Sequence, residues 1–468
     1  MQKGYIPIEW WYDTFVAIQE AVAKGIVVVE AGGNGWEDLD DPIYDKPLTG
    51  FPPQWKNPFN PANPSSGAVI VGAGAPPSGT HGRDHGADRS RLSFSCWGSR
   101  IDVQVVHNNG DRLGGQWLLN TADNIFGPVA DFDGDHHAES FVVSPWGIGI
   151  LKQVGIVMTP LLMKPNGTRF GGWLLNTVDN SFGPAADFDG DGIAEILVTS
   201  PWGIGILKRN GSTLTPLMMA PNGTRFSGSW LLNTADNDFS QVGDFSGDGK
   251  ADILVTSPWG IGILTLDGST LRVLTMVPNG TRIGGWLLNT ADNRFGPVGD
   301  FDGDRKAEIL LTSPWGIGVL KFNNGTFTNP MFQPNGTRFG DWVLNTADDD
   351  FAISRDFDGD NKDEILVASP RGVGVLKLAG ITMTAPMMKP NGTRFMPGGW
   401  LLNTANDWLG SAAKFTRTDR SSVLIESPWG IGLLEMSGDT MVAPAMKANG
   451  MIGLWKLDTA EHDIGHGV

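Results

Sequence analysis

Residues 173–226 read WLLNTVDNSFGPAADFDGDGIAEILVTSPWGIGILKRNGSTLTPLMMAPNGTRF, and this unit decides the fold. EILVTS and IGILK are short apolar runs parted by Pro-Trp-Gly, and LTPLMMA is a third. No ten consecutive residues carry helical periodicity without a Gly or Pro interrupting it. PNGT supplies the Asn-Gly pair expected of a type I′ hairpin turn. The WLLN segment recurs at Trp117, Trp173, Trp230, Trp286, Trp342 and Trp400, with a worn copy at Trp455, at spacings of 56, 57, 56, 56, 58 and 55 residues. Three or four antiparallel strands in a unit of this length predict a mainly β chain, a propeller of about six four-stranded blades, or seven with one incomplete. A stacked β-solenoid usually has shorter rungs and ranks below it.

Composition narrows the function. The chain has 468 residues, with 34 Lys+Arg against 51 Asp+Glu and a formal charge of −17. A polyanion of this kind does not track a nucleic-acid backbone unaided. Hydrophobic residues make up 40% of the chain, enough for a real core, while one cysteine, Cys96, excludes an internal disulfide framework. No apolar run approaches the ~20 residues of a membrane span, and residues 1–30 show no basic-then-apolar leader pattern.

The strongest chemical signal is D-x-[DS]-G-D-x-x-x-[DE], found five times. Its candidate metal ligands are Asp131, Asp133, Asp135 and Glu139; Asp187, Asp189, Asp191 and Glu195; Asp244, Ser246, Asp248 and Asp252; Asp300, Asp302, Asp304 and Glu308; and Asp356, Asp358, Asp360 and Glu364. Carboxylates at alternate positions converge only if the chain curls, which the central Gly permits. Hard oxygen ligands in this number suit Ca²⁺, so up to five calcium ions are expected. The closing acid stands at position nine and leads into a strand, unlike the twelve-residue EF-hand loop. The sixth unit carries Lys414, Thr416, Thr418 and Ser422 in these places, and its blade is expected to be metal-free.

Two sets of tryptophans recur. Trp117, Trp173, Trp230, Trp286, Trp342 and Trp400 each precede an Asn-Thr pair by three residues, as in Asn120-Thr121 and Asn176-Thr177. They are candidates either to stack on a sugar ring or to pack between blades. The second set lies in SPWG (Trp146, Trp202, Trp259, Trp315, Trp429), with Arg371 replacing it in unit five. Seven N-G-[ST] sequences match the glycosylation acceptor but are read first as turns.

Residues 1–104 share none of the repeat. Thr14–Gly25 reads as an amphipathic helix closed by glycine, with Phe15, Ile18, Ala21 and Val22 on its apolar face. Ile26–Ala31 and Ala68–Ala75 read as buried parallel strands. The chain therefore divides at 1–104, an α/β segment, and 105–468, the repeat region.

DFDGDGIAEILVTSPWG is similar to the FG-GAP (VCBS-like) repeat of integrin α-chain propellers, in which a Ca²⁺ loop links two blade strands. The order of the unit, a GGW turn, an acidic loop, a strand pair and then NGT, also resembles the mushroom propeller lectins. AVAKGIVVVEAGGNG, SGAVIVGAGA and SRLSFSCWGSRIDVQ resemble subtilisin-like (S8) serine peptidases. That likeness implies an oxyanion-type donor at Asn34. No Ser-His-Asp set accompanies it: Gly79-Thr80-His81 has no serine, and His81 and His85 match no family motif. The expectation is a calcium-stabilised, extracellular binding propeller for a glycan or a protein, joined to an inactive peptidase remnant, with no catalytic residues complete. A subtilisin-like endopeptidase targeted by its propeller and a ligand-free structural spacer are the alternatives.

Overall fold

The computed structural model describes residues 5–24, 26, 28–60, 63–74, 91–92, 94–98, 100–101, 112–113, 117–154, 157–226, 230–415, 419–452 and 455–460. The chain forms two units, Met1–Ile125 with Gly149–Met163, and Phe126–Ile148 with Lys164–Val468. His81 and His85, with the Gly79-Thr80-His81 near-match, lie outside the described residues, as do Thr416 and Thr418.

In the first unit, helix α1 spans Tyr12–Ala23 and buries Ile18 on its inner side. It closes at Lys24, whose N–H bonds the carbonyls of Ala21 and Val22; Gly25, the closing residue expected from sequence, lies outside the described residues. Strands β1 (Val29–Ala31) and β2 (Val69–Val71) pair in parallel as expected, Val29 opposite Val69. Their burial differs from the sequence reading, because in β1 Val29 is exposed and Glu30 points inward. The reason is a buried polar cluster: Glu30 Oε1 accepts the Glu9 N–H at 2.9 Å, and Arg100 Nε lies 3.1 Å from Glu9 Oε1. Burial pushes Glu30 up to about 7. Around this cluster Ile6, Trp10, Leu39, Tyr44, Phe59 and Ile70 form the apolar core. The Cys96 thiol is buried and donates to the Tyr5 carbonyl. Asn34 sits exposed in the bend after β1, between two glycines whose added Cβ atoms would meet the Tyr5 backbone within 2.5 Å. Close backbone approach accounts for that Gly-rich turn without any catalytic demand.

The repeats form six four-stranded antiparallel sheets, each a simple meander. Blade one has the strands Ile125–Ala130, Glu139–Ser144, Gly147–Val154 and Val157–Pro165. Blade two has Ser181–Ala186, Glu195–Ser200, Gly203–Asn210 and Thr213–Pro221, and blade three Asp238–Gly243, Asp252–Ser257, Gly260–Asp267 and Thr270–Pro278. Blades four to six repeat the plan from Arg294, Asp350 and Trp408. Second strands such as Glu195–Ser200 are buried on both faces because a neighbouring blade covers each side, which is why they read as unbroken apolar runs. Fourth strands such as Thr213–Pro221 vary between buried and exposed positions. The first strands of blades one, three, four, five and six line a channel of about 1100 Å³, to which Pro128, Gln241, Pro297, Ser354 and Ser411 all contribute. That channel is the axis of a six-bladed propeller.

Between blades the chain makes a short ribbon that sequence reasoning did not resolve. Arg225–Phe226 pairs with Trp230–Leu231, for example, placing Phe226 opposite Trp230 and Arg225 opposite Leu231. The worn copy at Trp455 forms the same kind of ribbon with Gly450–Ile452. The NGT turns are not type I′. Gly223 has φ +89° while Asn222 is not left-handed, and Thr224 N–H bonds Pro221 O at 3.0 Å, the pattern of a type II turn. Type I′ geometry occurs instead at Asn324-Gly325, in the hairpin between the third and fourth strands of blade four.

Each acidic loop opens on a Phe that plugs the blade interior: Phe132, Phe188, Phe245, Phe301 and Phe357 are all within 2% of full burial. Phe301 shares its cluster with Leu310, Ile317 and Trp342. Phe301→Ala leaves a cavity there and is expected to lower the unfolding free energy by about 3–5 kcal/mol, read from the urea midpoint at unchanged slope.

Candidate functional site

The meander sets two functional ends apart. In each blade the loop between the first and second strands lies at one end, and the turn between the second and third lies at the other. The acidic loops occupy the former and the SPWG turns the latter.

The four acids of a loop do different work. Asp187 faces the backbone: its Oδ1 accepts from Gly190 N at 2.6 Å and its Oδ2 from Gly192 N at 2.8 Å. Gly190 is at φ +83°, so the curl expected from the glycine is present. Glu195 is fully buried and its Oε2 accepts from Phe188 N at 2.8 Å, closing the loop onto the strand. The same two closures recur at Asp300 with Glu308 and at Asp356 with Glu364.

What lies among the remaining carboxylates was not foreseen. Lys208, from the third strand, places its ammonium 2.6 Å from Asp189, 2.6 Å from Asp191 and 2.8 Å from Glu195. Lys321 is 2.5 Å from Asp302, 2.8 Å from Asp304 and 2.7 Å from Glu308. Lys377 bridges Asp358, and also Asp360 and Glu364 at 2.8 Å each. An ammonium has three donors and here finds three carboxylates. Burial opposes the charge on Lys208, yet those carboxylates hold its pKa above the ordinary lysine value. The sequence signal is a lysine thirteen residues after the closing acid, on the next strand, where Glu308 and Lys321 stand directly opposite each other.

The acidic groups at Asp131–Glu139, Asp187–Glu195, Asp300–Glu308 and Asp356–Asp360 are close enough to hold a metal ion. Blade three differs. Thr265 stands in the lysine position and Ser246 replaces the second acid. Asp252 is wholly buried, and its Oδ2 accepts from Ser246 N at 3.0 Å. Burial pushes this carboxyl up to about 6. As a donor set for Ca²⁺, the loops of blades two, four and five do not fit while their ammonium is in place. The blade-three acids are not among the groups whose carboxylate oxygens lie close enough together to share an ion.

At the other end a clamp joins successive repeats. Asn222 Nδ2 donates to Pro201 O at 2.9 Å and to Thr234 Oγ1 at 3.0 Å, and Thr234 Oγ1 donates to Ser200 O at 2.6 Å. Thr234 N returns a bond to Asn222 Oδ1 at 3.1 Å. The Asn-Thr pairs proposed as sugar contacts are therefore structural: the Thr closes the clamp, and Asn233 Nδ2 is held by Asp236 at 2.5 Å. The N-G-T acceptors are engaged as well, since glycosylation at Asn222 would replace one of the two amide hydrogens that these bonds use.

The tryptophans separate cleanly. Trp117, Trp286, Trp342 and Trp400 are buried, and Trp173 and Trp230 half-buried. Their indole N–H groups are satisfied internally: Trp286 Nε1 donates to Asn293 Oδ1 at 3.2 Å and Trp400 Nε1 to Asp407 Oδ2 at 3.1 Å. A Cβ on Gly318 would lie 3.2 Å from the Trp286 ring, so the glycine makes room for it. These six were the candidate sugar platforms; the four buried ones have the environment of packing residues, while Trp173 and Trp230 keep part of their rings exposed. The SPWG set is the opposite: Trp146, Trp202, Trp259, Trp315 and Trp429 are 41–60% exposed. Exposed arginines at 169, 225, 282, 338 and 394 stand on the adjoining ribbons.

Residues 187–255 match the model of the FG-GAP-like repeat. No curated protein sequence matches the chain. Among solved structures, a lectin of Agrocybe aegerita described as recognising non-reducing terminal N-acetylglucosamine aligns at TM-score 0.49 and 19% identity, over 72% of this chain and 81% of that one. The Photorhabdus luminescens Tc holotoxin pore aligns at 0.35 and 12%, over 73% of this chain and 17% of that one. An exotype rhamnogalacturonan lyase aligns at 0.31 and 16%, over 66% and 57%.

Asn222→Ala removes two donors and leaves the Thr234 N–H without its acceptor. It is expected to destabilise the propeller by about 1–3 kcal/mol in urea melts, with proteolysis first cutting near the 201–202 turn.

Proposed function

We propose that the propeller is an extracellular, multivalent carbohydrate-binding module whose ligand lies across the SPWG turns, on Trp146, Trp202, Trp259, Trp315 and Trp429. One observation carries this reading: five indoles at the same position in successive repeats are exposed to solvent. Isolated exposed apolar residues are ordinary, but a large aromatic repeated in register is a binding surface. An indole face takes the CH face of a pyranose, and its polar edge stays wet. Each turn is fixed by the clamp beneath it, with Asn222 N bonding Trp202 O at 2.7 Å and Trp202 N bonding Ser200 Oγ at 3.1 Å, so each ring's backbone is pre-organised. Five weak sites in one rigid ring suit a repeating glycan, where linkage raises affinity by about 10²–10⁴ over a single site. In blade five Arg371 stands in place of the indole, near Asp349, a carboxyl that burial pushes up to about 6. That repeat is read as a distinct, polar position in the ring.

Residues 1–104 are read as a segment without peptidase activity, because an oxyanion donor such as Asn34 accelerates nothing without a nucleophile and its base. A fluorophosphonate probe applied to the purified chain is expected to leave every serine unlabelled. Stoichiometric labelling overturns that reading.

The glycan reading is tested on an array of polysaccharides and oligosaccharides at micromolar protein. Binding is expected, and the triple variant Trp202→Ala, Trp259→Ala, Trp315→Ala is expected to lose at least about 100-fold in apparent affinity through lost avidity. Its unfolding free energy should stay within about 0.5 kcal/mol per site, since the rings are exposed. An array without a binder, or a triple variant that binds as well as the parent, refutes the assignment.

A further inference from the structure

The first unit buries three charged side chains together. Glu9 is wholly buried, Glu30 is 5% exposed and Arg100 7%. They come from three separate parts of the unit: the short turn Ile8–Trp10, strand β1 and the segment that follows Cys96. Glu9 is held as a carboxylate, because donors surround it. Arg100 Nε lies 3.1 Å from its Oε1, Arg100 Nη2 lies 3.4 Å from its Oε2, and the Ser66 hydroxyl donates to Oε2 as well. Arg100 Nη2 also donates to the Ala68 carbonyl at 3.0 Å, which draws the guanidinium toward Glu9 and the loop before β2.

Glu30 is served less well. Its Oε1 accepts the Glu9 backbone N–H at 2.9 Å, and the residue opposite it on β2 is the apolar Ile70. Two acids against one arginine leave one negative charge too many for an interior site. Such a set relieves itself by keeping a proton on the acid with the weaker support. The pKa of Glu30 stands at about 7, raised above all by burial and next by the Glu9 charge, against the Glu9 and Ile8 N–H groups and, least of all, Arg100.

The turn that carries Glu9 is anchored in the core. Trp10 is 2% exposed, its indole N–H donates to the Tyr44 carbonyl at 3.1 Å, and its own carbonyl accepts from Trp55 Nε1 at 3.1 Å. Ile6 and Trp10 share their cluster with Leu39 and Phe59. A change at Glu30 therefore reaches the core through one backbone hydrogen bond.

We propose that Glu9, Glu30 and Arg100 form a pH-operated latch on the Ile8–Trp10 turn. Below neutral pH the latch is closed, with one ion pair and a protonated Glu30. Above it, an ionised Glu30 confronts the ionised Glu9, and the turn loosens from the core. The direction follows from proton linkage. In the opened turn a solvated glutamate releases its proton near 4.5, whereas the closed state keeps it until about 7. Over that interval the closed state binds more protons. Its stability is therefore greatest in acid, falls as the pH rises, and levels off once Glu30 is ionised in both states.

The test is hydrogen exchange of the full chain, read by mass spectrometry at about pH 5.5 and about pH 8.5 and corrected for intrinsic rates. Peptides covering residues 6–12 are expected to lose protection by on the order of tenfold across that range. Glu30→Gln keeps the oxygen that accepts the Glu9 N–H and cannot ionise, so its protection is expected to be equal at both pH values. Comparison with this variant removes pH effects that arise at other acids of the chain. A parent chain equally protected at both pH values overturns the proposal without any variant. So does a Glu30→Gln chain that loses protection as steeply as the parent. A Glu30→Gln chain that fails to fold overturns it too, since a neutral side chain of that shape is what the closed latch holds.

Discussion

A hydrogen-bonded clamp joins each blade to the next at the SPWG end of the ring. A four-stranded blade is a meander with a free edge on each side, and its neighbours are held by bonds between loops, such as Ala251 N to Asp187 O at 2.8 Å at the acidic end. At the SPWG end the Asn of NGT and the Thr of WLLNT supply the link. Asn166, Asn222, Asn279, Asn335, Asn391 and Asn449 each bond the threonine that follows in the next WLLNT or its equivalent, and that threonine bonds the serine carbonyl ahead of the PWG turn. One side-chain amide thus ties the second-to-third-strand turn of a blade to the chain leading into its neighbour. The ribbon that follows turns its Trp inward and its Leu outward, so the clamp also decides which aromatic is buried.

The clamp explains why two tryptophan sets of equal regularity have opposite fates. Trp230 lies on the inward side of its ribbon, facing the next blade. Trp202 sits at the apex of a two-residue turn whose flanking residues, Ser200 and Gly203, are paired with each other. An apex side chain has no blade above it. Periodicity alone cannot tell these cases apart, since both recur every 56 residues or so. The strand count, the six blades and the curl of the acidic loop were legible in the sequence because they rest on local patterns: apolar runs, Gly positions and spacing. The fate of each tryptophan was not, because it depends on which side of a two-residue ribbon faces in. The Asn-Gly turn type was misread for a related reason. The dipeptide fits I′ and II alike, and the clamp on the Asn side chain selects II.

The loop lysines were legible in principle and escaped notice because they belong to another strand. Reading the acidic loop as a self-contained nine-residue motif leaves its charge unbalanced, and a metal then seems required. A hairpin partner thirteen residues downstream is just as close in space. Glu308 and Lys321 are direct cross-strand neighbours, the pairing that stabilises a sheet on its own. A charge cluster is therefore better judged over the whole hairpin than over the loop that contains it.

The same meander also keeps the acidic loops of a chain of net charge −17 away from its exposed tryptophans. Acidic loops and SPWG turns lie at opposite ends of a second strand of six residues. That strand is about 20 Å long, while the Debye length at physiological salt is about 8 Å. The loop charge is further reduced at its source by the lysines it holds. At the tryptophan end the exposed arginines of the ribbons share the surface with exposed acids such as Asp236. Net charge describes the solubility of the whole chain, whereas the SPWG turns present exposed indoles on a surface of mixed charge. The acidic loops lie more than about two Debye lengths from the indoles, so their charge is largely screened there.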